Sequence, residues 1–308
     1  MATATEERHP HTASRPATAS GRPSATRTFP VRKVSVDYDK YAEAHSTGEQ
    51  AWLVDNDPIF SSLLATLSAA FPNGEDFFVA SVRRHRHVVE DNPYLKAQVR
   101  AFIGQEALHG REHRELNARL EALGYPTERT AERISRACDR ILAMKPKTLA
   151  LAVTAAAEHF TGIFAEAAIG DEMTREVLFA DPELQRLITW HALEELEHKN
   201  VAFDVLTAAG GRYPIRALGM IVCIVMLASI ITVDSAKGSI DRRDQITRSH
   251  RRQHLRNLRR QRLLSGWSLR KLLTYFKPGF HPDDTDTDAL VDEWRVRLEP
   301  HTRIVSSA

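Results

Sequence analysis

The chain has 308 residues, enough for one large domain with extensions or two smaller ones, and its formal charge of +2 leaves no global field that would draw nucleic acid. Cys138 and Cys223 are its only cysteines. Two thiols so far apart, one in an apolar run, fit buried free cysteines better than a disulfide framework, and they exclude a thiolate metal site, so any metal depends on histidine and carboxylate, which suits iron or manganese and, less well, zinc.

Residues 1–30 are rich in Ala, Thr, Ser, Pro and Arg and nearly free of large apolar groups. That composition cannot offset its ordering entropy, so a disordered tail is expected, and it lacks the apolar run of a secretory signal, which predicts a cytoplasmic chain. From residue 57 onward apolar residues recur at three- and four-residue spacing, the helical period, with little β-type alternation. Asp57-Pro58 predicts a helix through Ala70, Pro72-Asn73-Gly74 an interruption, and Glu75 a new helix to Glu90. Asn92-Pro93 starts the next, which stops at Gly124. A shorter helix over Thr130–Ala143 follows, then a long one from Pro146 to Phe179, then one from Asp181-Pro182 to Gly210-Gly211. This part, residues 31–211, reads as a helical-bundle domain with four principal helices. Residues 212–308 read as a C-terminal helical extension. Within it, 217–233 (Ala217 to Val233) is free of charge, and Arg242–Arg262 carries nine arginines against Asp244 alone.

Chemistry concentrates in the run Trp190-His191-Ala192-Leu193-Glu194-Glu195-Leu196-Glu197-His198. His191, Glu195 and His198 stand at i, i+4 and i+7, and at about 100° per residue they share one helical stripe. Upstream, Glu106 and His109 form a second Glu-x-x-His pair. Glu75 and Glu158 supply lone glutamates on two further helices, the latter within an apolar stretch where an unpartnered carboxylate is costly. Two such pairs with two lone glutamates is the ligand pattern of a carboxylate-bridged dinuclear centre inside a four-helix bundle. His191 adds a third nitrogen and makes the two metals unequal.

The neighbours divide less sharply. His113 stands one turn past His109 and is a candidate outer-layer donor, against a solvated Arg111–Arg114 face. Glu194 and Glu197 lie off the stripe and are expected at the surface. His159 faces away from Glu158, and His85 and His87 are expected on a basic helix face. Thr161, with Gly162 and Ala165, would leave room for a substrate beside the metals.

At these residues the chain resembles a bacterial family labelled predicted metal-dependent hydrolases. The likeness runs from about Trp52 to Gly211, through Phe71-Pro72-Asn73-Gly74-Glu75-Asp76-Phe77-Phe78, Phe102-Ile103-Gly104-Gln105-Glu106-Ala107-Leu108-His109, Glu158-His159-Phe160-Thr161 and His191–His198. The His-x-x-x-Glu-x-x-His run is also similar to the fourth-helix motif of the di-iron arylamine N-oxygenases, where the extra histidine is an iron ligand. Together these resemblances imply an all-α, ferritin-like four-helix bundle with additional C-terminal helices. They imply Glu75, Glu106, His109, Glu158, His191, Glu195 and His198 as ligands, beside which His113 and Thr161 are the outer-layer candidates by their place on the same helices. Two iron ions are the implied cofactor, with manganese or zinc as alternatives.

Two activities follow as expectations. One is a di-iron oxidase or oxygenase that uses dioxygen and an electron donor to oxidise a small hydrophobic or aromatic substrate. The other is a metal-dependent hydrolase working through a metal-bound hydroxide. The apolar 217–233 helix with its basic sequel predicts either a helix packed in the protein or a homodimer interface, or association with the anionic inner face of a membrane.

Overall fold

Three of the predicted helix starts carry the same device. Asp57, Asn92 and Asp181 each cap a helix whose first residue is proline: Asp57 accepts from the Phe60 amide, Asn92 from Leu95, and Asp181 from Glu183 and Leu184. The computed structural model describes residues 28–46, 53–54, 57–241 and 246–306. Over these the protein is all-α apart from one small sheet. The tail expected over residues 1–30 lies outside the described residues up to residue 27. Phe29, placed by sequence at the end of that tail, is buried with its ring 6.2 Å from that of His198.

The site helices are α2 (Pro58–Arg84), α3 (Pro93–Ala122), α5 (Thr148–Gly170) and α7 (Pro182–His198). Around them stand α1 (Tyr38–Ser46), α4 (Thr127–Ala143), α6 (Glu172–Leu178) and α8 (Val201–Ala208). The C-terminal part adds α9 (Tyr213–Ile230), a π turn over Ile231–Ser235, α10 (Ala236–Asp241), α11 (Arg248–Arg260), α12 (Gly266–Thr274) and α13 (Asp288–Leu298). Strand β1 (Val31–Val34) pairs antiparallel with β2 (Thr302–Ser306), which joins the two ends of the described chain.

The helix expected to reach Glu90 ends at Arg84, and the one expected from Asp181-Pro182 to Gly210-Gly211 is split into α7 and α8. Two further differences have a visible reason. Pro72 does not break α2, which runs through it. Proline has no amide hydrogen for the Ser68 carbonyl one turn back, but Asn117 Nδ2 on α3 donates to that oxygen at 3.0 Å. The helix expected from Pro146 to Phe179 is instead two. Trp294 Nε1 and Arg175 both donate to the Ile169 carbonyl, so the backbone groups freed at the end of α5 are satisfied, and Asp171 caps α6 by accepting from the Thr174 amide.

The C-terminal helices lie directly on the others. Gly219 of α9 packs against α5 so closely that a Cβ there would stand 2.5 Å from the Ala152 backbone. His254 and Asn257 of α11 bond Asp57, the cap of α2. Among the described residues, two helical stretches are long and apolar enough to cross a membrane, Thr148–Gly170 and Tyr213–Ile240. The first is mostly buried in the core, and the second is not.

Candidate metal centre

Four helices each contribute to one point in the interior. α2 brings Glu75, α3 brings Glu106 and His109, α5 brings Glu158, and α7 brings His191, Glu195 and His198; all seven are buried. Their ligand atoms fall into two groups. Glu75, His109 and His191 form one, and Glu106, Glu195 and His198 form the other, with the atoms of each group within 4.8 Å of one another. Glu158 joins the second group, its Oε2 lying 3.3 Å from His198 Nε2.

Glu195 links the groups. Its Oε1 is 2.9 Å from His191 Nε2, 3.7 Å from His109 Nδ1 and 3.6 Å from His198 Nε2. Space here is tight: a Cβ at Gly110 would stand 3.1 Å from Glu75 Oε2, so a glycine on α3 makes room for the α2 carboxylate.

Electrostatics shows what the cluster lacks. Burial, reinforced by Glu106, holds the Glu75 carboxyl well above its ordinary range, and burial with Glu158 does the same for Glu106. Burial also raises Glu158, to about 7. Burial opposes charge on Glu195 too, but His198 and His191 outweigh it and hold that carboxyl low. Burial would likewise lower His198, yet Glu195, Glu158 and Glu106 keep it raised. Four carboxylates cannot all ionise in this interior on one imidazolium alone. Both carboxylate oxygens of Glu75, Glu106 and Glu158, together with Glu195 Oε2, His109 Nδ1 and His198 Nε2, are buried without a hydrogen-bond partner. So many orphaned donor atoms aimed at one another is costly unless cations neutralise and ligate them. The residues fit a pair of divalent metal ions.

A second layer orients the imidazoles. His109 Nε2 is 3.1 Å from Glu194 Oε2, which leaves Nδ1 facing inward. His198 donates from Nδ1 to Gln105 Oε1 at 2.9 Å, which leaves Nε2 inward. His191 Nδ1 meets His113 Nε2 at 2.9 Å; His113 Nδ1 is 3.0 Å from Ser68 Oγ, and Ser68 donates to Asn117 Oδ1 at 2.7 Å. In each case the outer partner fixes which ring nitrogen is free for a ligand.

Several neighbours stand elsewhere than the sequence suggested. Glu194 and Glu197 are not surface charges. Arg32 of β1 donates to both, Arg295 of α13 and Gln105 donate to Glu197, and burial with the nearby Glu197 pushes Glu194 up to about 8. His113 is fully buried rather than on a solvated face, and burial holds its pKa well below the usual value. Of the two histidines assigned to a basic face, His87 is exposed but His85 is buried, its Nδ1 2.9 Å from the Ser81 carbonyl. His159 is half-buried and bonded to the Lys271 carbonyl. Sequence gave no signal for Arg32 or Arg295, which lie far from α7 in the chain. Gln105 neighbours Glu106 but has no metal-ligating chemistry of its own.

Beside the cluster is a cavity of about 360 Å³. Its walls are almost wholly apolar, with Phe71, Phe78, Phe160 and Phe164 among them and Thr161 and Ser268 as sparse polar points. Glu75 alone of the seven lines it. Thr161 lines it as expected, whereas Gly162 and Ala165 do not. The far wall comes from α9 and α12, through Met226, Leu227, Ile230, Leu269 and Leu272.

The chain belongs to a family described as predicted metal-dependent hydrolases, whose model matches residues 30–286. No curated relative and no solved structure matches it.

Proposed function

We propose that this protein is a dinuclear metalloenzyme of ferritin-like type that oxidises an apolar small molecule with dioxygen. Glu75, His109 and His191 would hold one ion, Glu106, Glu158 and His198 the other, and Glu195 both. The observation that carries the reading is the position of Glu195 Oε1, within reach of an imidazole from each ligand group, in a cluster whose Glu75 borders an apolar cavity.

Two ferrous ions, when bound, supply the electrons that dioxygen takes up. The chain's own residues do the rest. His109 donates a hydrogen bond from Nε2–H to Glu194 and His198 donates from Nδ1–H to Gln105, so both rings keep their ligand nitrogens inward. Phe71 and Phe102 flank His191 and His198, which keeps water from the carboxylates. The apolar walls select a hydrophobic substrate and place its reacting end beside Glu75, since no other residue of the cluster reaches the cavity. Four carboxylates and three histidines suit iron and its redox chemistry, with manganese or zinc as other occupants.

Hydrolysis is the second reading, and the family description favours it. A metal-bound hydroxide would attack an ester or amide, without oxygen and with zinc or manganese serving as well as iron. One experiment separates the two. The metal-free chain is loaded anaerobically with ferrous iron, its bound iron is counted, and air is then admitted. Oxidation predicts two irons per chain and a visible absorption change with oxygen uptake. Hydrolysis predicts no optical change and ester cleavage that persists under nitrogen with zinc in place of iron.

A further inference from the structure

A soluble helix as apolar as α9 is ordinarily covered on every side. Here one side lies on α5 and the other is bare. Leu218, Ile221 and Val225, at i, i+3 and i+7, form one outward stripe, with Ile221 51 % and Val225 64 % exposed. The same happens on α12, where Leu269 and Leu273 are more than half exposed one turn apart, and at Leu264 just before it. Leu264 and Leu269 also line the cavity, so the bare apolar surface at α12 is the rim of its mouth.

Charge accompanies this surface. From Gln245 to His281 the chain has no Asp or Glu and ten Arg or Lys residues. α11 carries most of them and runs straight into the rim, with Arg259 and Arg260 exposed at its end. Arg262 lies over the ring of Trp267 at 4.7 Å, and Trp267 sits between the lining residues Ser265 and Ser268. Exposed aliphatic side chains, a tryptophan at their border and arginines beside them are what a bilayer surface pairs with. Acyl chains take the leucines, the headgroup zone takes the indole, and phosphates take the guanidinium groups. A twofold-related copy fits less well. It would set the same arginines against one another with no acid in the segment to answer them.

We propose that this face docks on an anionic membrane with the cavity mouth against the lipid, so that an apolar substrate passes from the bilayer into the cavity beside Glu75. The docking goes beyond the proposed reaction and would hold for either chemistry there.

The test uses the full chain and vesicles of phosphatidylcholine, with or without an equal part of phosphatidylglycerol. Sedimentation with the anionic vesicles is expected, at least ten-fold stronger than with the neutral ones and weakened by salt. Changing Ile221→Glu and Val225→Glu together should cut binding about ten-fold. The triple change Arg259→Ser, Arg260→Ser and Arg262→Ser should remove the preference for anionic lipid. All these residues are described as exposed, so helical content by circular dichroism should stay unchanged. Brominated acyl chains should quench a tryptophan signal that Trp267→Phe removes, which places the rim in the lipid. The proposal is overturned if the chain stays in the supernatant with both vesicles. Binding that the paired glutamates leave intact also overturns it, as does a dimer in light scattering that those glutamates split without any vesicle binding, which makes the face a homodimer interface.

Discussion

Glu194 precedes Glu195 in the chain, yet the two carboxylates do different work. One step along a helix turns a side chain by about 100°, so a reading from α7 alone sends Glu194 toward solvent. What covers that side is Arg32, from a strand 162 residues away, with Arg295 of α13 beside Glu197. The stripe of His191, Glu195 and His198 was legible because its period belongs to one helix; of the outer layer only His113, one turn past His109, was, because the other partners share no pattern with the stripe. Replacing Glu194 with Ala should lower metal affinity about 10- to 100-fold by freeing the His109 ring, while Glu194→Gln should lose less. Competition against a chromogenic chelator measures both.

The buried carboxyls also set a pH dependence. Glu75, Glu106 and Glu158 are raised, so they keep protons that a metal must displace, and His198, also raised, must lose its proton too. Metal loading should therefore release protons, and apparent affinity should climb from about pH 6 to about pH 8. Titration calorimetry in two buffers of different ionisation enthalpy reads the proton count. An affinity flat across that range would contradict the burial argument.

At the scale of elements, α2 shows how a local rule yields to a partner. Pro72-Asn73-Gly74 reads as a break, and with only α2 in view that reading is sound. Asn117 on α3 answers the orphaned Ser68 carbonyl, so α2 continues through Pro72 and brings Glu75 to the cluster. Asn117→Ala should cost about 1–2 kcal/mol in urea unfolding, since it leaves that carbonyl and the Ser68 hydroxyl short of a partner. The helix starts were legible because cap and proline act within four residues, and the Gly170-Asp171 break was not, because Trp294 supplies part of its reason. The contact of α9 with α5 is a matter of shape. Gly219→Ala should destabilise by about 1–3 kcal/mol or shift α9, because the new methyl meets backbone rather than a movable side chain. If α9 were loosely attached, thermal unfolding would not register the change.

Across the whole molecule, the interior buries seven metal-competent polar side chains and one side of an apolar helix stays bare outside, the reverse of ordinary burial. Both features make sense together if cations fill the first and lipid covers the second. The composition of residues 217–233 was plain in the sequence, but only the fold shows that one side of it borders the cavity mouth. Chelation of bound metal should lower the midpoint of thermal unfolding, since the carboxylates then face one another uncompensated, and restoring ferrous iron should return it.

The most direct measurement is the metal content of the full chain and of Glu195→Ala, purified without added metal and read by mass spectrometry of the elements. The account predicts two ions per chain, and much less than two once Glu195 is gone. A full chain that carries no stoichiometric metal, or a Glu195→Ala chain that keeps both ions, would contradict it.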